Sequence, residues 1–290
     1  MSIARSLSLL LVIASTALAA ESSPDFKAAL ELFQQRKNPE AKVALENVVK
    51  AEPKNFEAAA YMGRVHMRLG DTESAIKVFD KLVAQNPTHS DYHRELGDAY
   101  GFKAQKAGLG FSGLGAARKC RDAYEKAIAL DPKNINARFS LMQFYQQAPG
   151  IIGGGTDKAH AQADEILKLD LIRGRAAKAG VFTAEKKFAE AFALYEDALK
   201  ENPDDYNSLY AIGRGAASSG QRLERGMEAL ARCLAVAPPA NSPGHAAANW
   251  RMGMIHEKRS DKAAARASYQ AAIAVDPAFK QAVDALKSLK

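Results

Sequence analysis

Few residues of this chain stand at spacings that suggest chemistry. His89 and His93 are four residues apart, but a metal ion needs further ligands, and the sequence has neither an HExxH motif nor a cysteine cluster. The glycine-rich stretch GIIGGGTDK at 150–158 lacks the Gly-Lys-Ser/Thr ending of a phosphate-binding loop. No Ser-His-Asp or paired-carboxylate arrangement can be argued. The sequence therefore predicts no catalytic residue, no metal site and no cofactor.

The clearest pattern is a unit of 34 residues at 56–89. Apolar residues recur at helical spacing on both sides of Gly70, which predicts two helices joined by a tight turn. Small residues at Gly63 and Ala75 would let the two backbones approach closely, and Phe79 would fill the space between them. The unit is therefore expected to fold as a helix hairpin.

The same period brings the rest of the chain into phase. A small residue stands at position 20 of all seven units, and a proline at position 32 of six of them. These positions together resemble the tetratricopeptide repeat family. The predicted units are 22–55, 56–89, 90–134 with a loop insertion, 135–171 with a glycine-rich loop, 172–205, 206–240 and 246–279, followed by a cap at 280–290.

The resemblance implies a single all-α domain at 20–290. It would be a right-handed α-solenoid of about seven helix hairpins plus a C-terminal capping helix. Its concave groove would be lined by the first helix of each hairpin. Arginines there could pair with carboxylates, aromatic rings offer flat apolar area, and amides can bond to the backbone of an extended peptide. The candidate groove residues are Arg64, Arg68, Arg94, Phe139, Gln143, Arg173, Tyr210, Arg214 and Trp250.

Two segments depart from the repeat, at the predicted turns of adjacent units. The first, at 101–117, is expected to be a loop, and no acidic residue occurs between Asp98 and Asp122. The second is the glycine-rich stretch. A basic edge beside flexible glycines could contact an acidic protein or, peripherally, an anionic envelope surface, the alternative being a solvated loop. Its residues are Lys103, Lys106, Arg118, Lys119 and Arg121.

The first residues look like an export signal. Arg5 precedes an uncharged apolar run at 6–20, which contains the small-x-small site Ala17-Leu18-Ala19. We expect 1–19 to be a cleaved secretory signal peptide and the mature chain to be soluble and periplasmic or secreted. The alternative is an uncleaved N-terminal anchor. No later segment is apolar enough to predict a membrane span.

Composition excludes some partners and fits a globular chain. The net charge is +7, and no basic stripe with interleaved aromatic residues occurs, so nucleic acid is not an expected partner. Cys120 and Cys233 fall three units apart, too far for a disulfide between stacked hairpins. Both are expected to be unpaired core residues.

These features predict a non-catalytic scaffold that binds a peptide segment or a partner protein in its groove, in envelope assembly or secretion. Three alternatives stay open at this point. The chain could be a small-molecule or glycan-binding repeat protein, an accessory subunit of an envelope enzyme, or an enzyme built around the two insertions. The last requires titratable groups that face a closed pocket, whereas the insertions themselves supply mostly basic residues.

Overall fold

The computed structural model describes residues 23–108 and 110–289, and within them the predicted all-α fold is confirmed. The described helices are α1 (Pro24–Gln34), α2 (Asn38–Ala51), α3 (Phe56–Arg68), α4 (Thr72–Gln85), α5 (Ser90–Ala107), α6 (Phe111–Leu130), α7 (Ile135–Gln147), α8 (Thr156–Leu169), α9 (Leu171–Ala184), α10 (Phe188–Glu201), α11 (Tyr206–Ser219), α12 (Leu223–Ala235), α13 (His245–Lys258), α14 (Lys262–Val275) and α15 (Lys280–Ser288), with one turn of 3-10 helix at Gly150–Ile152.

The helices pack as hairpins within two compact units. One unit ends at Gln85 and the other begins at Asn86. In the first, α1 packs on α2 and α3 on α4; in the second, the pairs run from α5 with α6 to α13 with α14. The described residues thus form seven hairpins followed by α15, and the bounds of the repeats stay a prediction. A single solenoid over 20–290 stays a prediction.

Four of the described hairpins have a close contact between a glycine of the first helix and a large residue of the second. A Cβ atom added to Gly63 of α3 would lie 2.5 Å from Cζ of Phe79 in α4. A larger residue than glycine would therefore push the two helices apart, which explains why small and large residues alternate at these positions. Similar pairs are Gly97 with Tyr124, Gly213 with Leu230 and Gly253 with Tyr269.

At three repeat boundaries the last residue of one repeat caps the first helix of the next. The side chain of Asn55 accepts a hydrogen bond from the backbone N–H of Ala58 at 2.9 Å. Asn134 and Asp205 make the same bond at the starts of α7 and α11. Each such cap stabilises its helix by roughly 1 kcal/mol. At these three boundaries the capping residue is Asn or Asp, whereas His89 and Gly244 precede α5 and α13 without a side-chain cap.

The predicted loop at 101–117 is wrong, because most of that segment is helical. α5 continues to Ala107 and α6 begins at Phe111, so the extra residues lengthen both helices. They do so because alanines, lysines and glutamine favour helix, and buried Ala116 and Ala117 supply an apolar face. Gly108, at φ +68°, ends α5.

The glycine-rich segment between α7 and α8 forms a compact turn. Gly153 has φ +96° and ends the 3-10 helix, and the N–H of Gly155 donates to the carbonyl of Tyr145 at 2.9 Å. Arg121 of α6 donates to the carbonyl of Ile152 at 3.2 Å. The second insertion is therefore held against the lengthened α6.

The remaining sequence predictions on fold concern the cysteines and the membrane. Cys120 and Cys233 are free and buried, so their predicted place in the core is confirmed. The predicted signal peptide at 1–19 lies outside the described residues. None of the helices in 23–108 and 110–289 has the length and apolar character to cross a bilayer.

Candidate functional site

A cavity of about 480 Å³ lies between α5, α6 and α7 and is closed on one side by the turn after α7. The lengthened parts of α5 and α6 and the glycine-rich turn all contribute to its wall. It therefore exists because of the two insertions. Its lining includes Asp98, Phe102, Leu114, Gln143, Phe144 and Ile152.

One carboxylate and two hydroxyls form a hydrogen-bonded network in the wall of this cavity, which also includes the amides of Gln105, Gln143 and Gln147. The hydroxyls of Tyr124 and Ser140 donate to Oδ1 of Asp98 at 2.7 and 3.3 Å, and Nη1 of Arg94 donates to Oδ2 at 2.6 Å. Burial raises the pKa of Asp98 above its ordinary value, and these donors oppose that shift only in part. The network fixes the carboxylate in one position.

The cavity also contains a cysteine, which is not a nucleophile. Burial raises the pKa of the Cys120 thiol to about 12. The thiol is therefore neutral near pH 7, whereas cysteine chemistry requires the thiolate. Among the described residues, no group of three His, Cys, Asp or Glu side chains could hold a metal ion.

Arg94 is occupied by carboxylates of its own helix. It lies 3.3 Å from Asp91, 3.0 Å from Glu95 and 2.6 Å from Asp98. Burial alone would lower the pKa of Arg94, but Asp98, Glu95 and Asp91 outweigh it and raise the value. The predicted groove contact of Arg94 is therefore corrected to an internal ion-pair network.

An exposed polar and aromatic patch joins two neighbouring first helices. Nη2 of Arg173 in α9 donates to Oδ1 of Asn136 in α7 at 2.7 Å, and its guanidinium lies 5.9 Å from the ring of Phe139. Gln143 is also exposed, and it lies about two helical turns after Asn136, towards the C-terminal end of α7. We call Asn136, Phe139, Gln143 and Arg173 the α7–α9 surface.

The two groove arginines predicted in α3 contact aromatic rings of the compact unit that ends at Gln85. The guanidinium of Arg68 lies 3.4 Å from the Phe33 ring, and Nη1 donates to the Phe33 carbonyl at 2.7 Å. Burial, with a smaller contribution from Arg36, lowers the pKa of Arg68. Arg64 stands 4.5 Å from the Tyr61 ring. Arg68 therefore ties α3 to the end of α1.

The groove residues predicted in α11 and α13 differ in exposure. Tyr210 is buried, with its ring parallel to that of Tyr206 at 6.5 Å, so its assignment to an open groove is wrong. Arg214 is exposed. Trp250 is half-buried, with its ring edge-on to Phe279 at 6.0 Å.

The predicted basic edge is distributed over two helices and is partly neutralised. Lys103 and Lys106 belong to α5, while the other three residues belong to α6. Arg121 pairs with Asp122 at 2.6 Å and with Glu125 at 3.7 Å. Nζ of Lys119 lies 5.2 Å from the ring of Tyr100, and Arg118 is exposed. The five residues do not act as a single loop.

Comparisons with known proteins agree with this architecture. Family models described as tetratricopeptide repeat match residues 25–96 and 246–279. A thermophilic TPR protein of Thermus thermophilus is similar at 23% identity and a TM-score of 0.51, over 63% of this chain and 93% of that one. A tetratricopeptide repeat protein from Parabacteroides merdae is similar at 15% identity and a TM-score of 0.55. The similarity covers 91% of this chain and 97% of that one.

A curated relative matches a shorter part of the chain. The probable UDP-N-acetylglucosamine–peptide N-acetylglucosaminyltransferase SPINDLY of Petunia hybrida is 28% identical over 109 residues. The match covers 37% of this chain and 11% of that protein. The seven helix hairpins, their recurrent small and large contact positions and the two matching family models together show that this chain belongs to the tetratricopeptide repeat family, whose members generally mediate protein–protein interactions.

Proposed function

We propose that this protein is a non-catalytic scaffold that binds a peptide segment of a partner protein at the α7–α9 surface. The observation that carries the proposal is the contact of Arg173 with both Asn136 and Phe139, because it joins exposed groups of two successive repeats. A surface shared by neighbouring repeats can follow an extended chain, whereas a single hairpin offers too little area.

The chemistry of this surface favours an extended segment with an acidic side chain. A guanidinium has five N–H donors, and the bond to Asn136 uses one of those of Arg173. The remaining donors can bind a carboxylate in a bidentate manner. The exposed amide of Gln143 can bond to a peptide backbone, and the half-buried ring of Phe139 offers apolar contact.

Selection from a random peptide library on the immobilised protein tests this surface. We expect the enriched peptides to contain Asp or Glu, and Arg173→Ala or Phe139→Ala to weaken their binding at least tenfold, as for central interface residues. Lys168→Ala is the control, because Lys168 is exposed on α8 and pairs with its neighbour Glu165. Failure to enrich any peptide, or equal affinity for all variants, would contradict the proposal.

We further propose that the scaffold acts outside the cytoplasm, in envelope assembly or secretion, with support from the apolar run at 6–20. Mass spectrometry of the mature protein from periplasm or culture fluid is expected to find Ala20 at the N-terminus. A chain that retains Met1 and sediments with membranes would instead identify this run as an anchor.

A further inference from the structure

We propose that the cavity between α5, α6 and α7 is a second binding site, which takes a small organic amine with its ammonium group beside Asp98 and its apolar body against the surrounding rings. This site does not rest on the proposed peptide surface, because Arg173, Asn136 and Phe139 do not line it and Gln143 alone borders both.

The size of the cavity suits a small molecule. Its volume of about 480 Å³ lies within the range of roughly 300–1,000 Å³ that is common for ligand pockets. The repeat alone would not provide it, since its outer wall comes from Phe102, Leu114 and Ile152 in the two insertions. The other hairpins of the described residues pack without such insertions.

Charge selects the head group of the ligand. Asp98 is the charged side chain in the lining, which contains no lysine, arginine or histidine. Its partner Arg94 also contacts Asp91 and Glu95, so the guanidinium does not serve Asp98 alone. A wall whose charged group is a carboxylate favours a cation and disfavours an anion. The carboxylate accepts three hydrogen bonds and has room for about one more.

Aromatic and aliphatic groups select the body of the ligand. Phe102 is 54% exposed, and Phe144 and Leu114 are half-buried, so a ligand would remove apolar surface from water. The faces of phenylalanine rings also attract cations in partly desolvated sites. A carboxylate with aromatic rings around it is therefore complementary to an ammonium group on an apolar body.

Three probes with the same phenyl body separate the contributions of charge and apolar contact. They are 2-phenylethylamine, 2-phenylethanol and 3-phenylpropanoate, titrated into the full chain by calorimetry with NMR detection of weak binding. We expect the amine to bind at least tenfold more tightly than the alcohol, because its ammonium forms an ion pair with the Asp98 carboxylate whereas the hydroxyl is a neutral donor. The carboxylate probe should not bind. Absence of amine binding, or equal binding of the amine and the other two probes, would overturn the proposal.

Matched variants locate the binding to this cavity. Asp98→Asn is expected to reduce the affinity for the amine to that for the alcohol, and Phe102→Ala to weaken both. Phe111→Ala is the control, because Phe111 is 98% exposed and lies outside the lining. If Asp98→Asn does not fold, Phe102→Ala against Phe111→Ala decides the location. Unchanged amine binding in Phe102→Ala would overturn the assignment, while unchanged binding in Arg173→Ala separates this site from the peptide surface.

Discussion

Gly174→Ala is expected to lower the free energy of unfolding by roughly 2–3 kcal/mol, although alanine favours helix more than glycine does. A Cβ atom on Gly174 would lie 2.1 Å from Cα and 2.5 Å from the backbone nitrogen of Leu167 in α8. Backbone atoms cannot rotate away as a side chain can. The crossing of α8 and α9 must therefore widen, with loss of the contacts that surround it.

Gly180→Ala in the same helix is the matched control and should have the opposite sign. A Cβ atom on Gly180 would meet no atom within 4 Å, and the residue is exposed. The change should raise the free energy of unfolding by about 0.5–1 kcal/mol, which is the helix-propensity difference between the two residues. Urea unfolding followed by far-UV circular dichroism measures both variants. Equal midpoints for the two variants would show that α8 and α9 do not cross at this distance.

The hairpin itself could be predicted because the contact that defines it lies within one repeat. Gly63 and Phe79 belong to the same 34-residue unit, so their sizes and spacing already indicate which residues touch. The caps at Asn55 and Asn134 were equally local, since each bonds to an N–H three residues later. Contacts and caps over such short sequence separations can be predicted from a single sequence.

The cavity could not be predicted, because its polar groups come from distant parts of the chain. Tyr124 is 26 residues from Asp98 in sequence, and Ser140 is 42 residues away. Because 101–117 was interpreted as a loop, the lengthened helices α5 and α6 that form the wall of the cavity were not predicted. The glycines of that segment suggested a loop, but Gly113 lies inside α6, where a Cβ atom would come 1.8 Å from the Gly108 carbonyl oxygen. Glycine here serves close approach rather than flexibility.

The network around Arg94, by contrast, had a signal in the sequence. Asp91 and Asp98 stand three residues before and four residues after it, which are the spacings of ion pairs on one helix face. The family resemblance nevertheless assigned Arg94 to the groove, although this local pattern predicts ion pairs within α5. Tyr210 illustrates the same error, because Tyr206 four residues earlier provides a stacking partner on its own helix.

Arg94→Met should be among the most destabilising single changes on α5, with a loss of about 3 kcal/mol near pH 7. Methionine keeps the apolar stem but leaves Glu95, whose side chain is 5% exposed, and Asp98, at 31%, without their cation. A buried carboxylate that has lost its partner costs more than the pair contributed. Arg118→Met, an exposed arginine on α6, should change stability by less than about 0.5 kcal/mol.

The pH dependence of this loss of stability shows whether the charge of Arg94 or the packing of its stem accounts for it. Without Arg94, the pKa of Asp98 in the folded variant should rise further above its ordinary value, so this group favours folding at low pH and opposes it as pH rises through that value. In the wild type, burial would raise the pKa of Asp91, but hydrogen bonds from Asn134 and Arg94 outweigh it and the pKa lies below its ordinary value. That contribution is present above the ordinary value of about 3.9 and is lost as pH falls.

The raised pKa of Asp98 in the variant and the lowered pKa of Asp91 in the wild type change stability in the same direction. The difference in the free energy of unfolding between wild type and Arg94→Met should therefore narrow as the pH falls from 7 towards about 4. Adding Glu95→Gln to Arg94→Met should recover a large part of the loss at pH 7, because it removes the most deeply buried of the carboxylates that Arg94 contacts. Urea unfolding of the three proteins at several pH values provides the measurement. A gap that stays constant with pH would mean that Arg94 stabilises α5 through the packing of its stem and not through its charge.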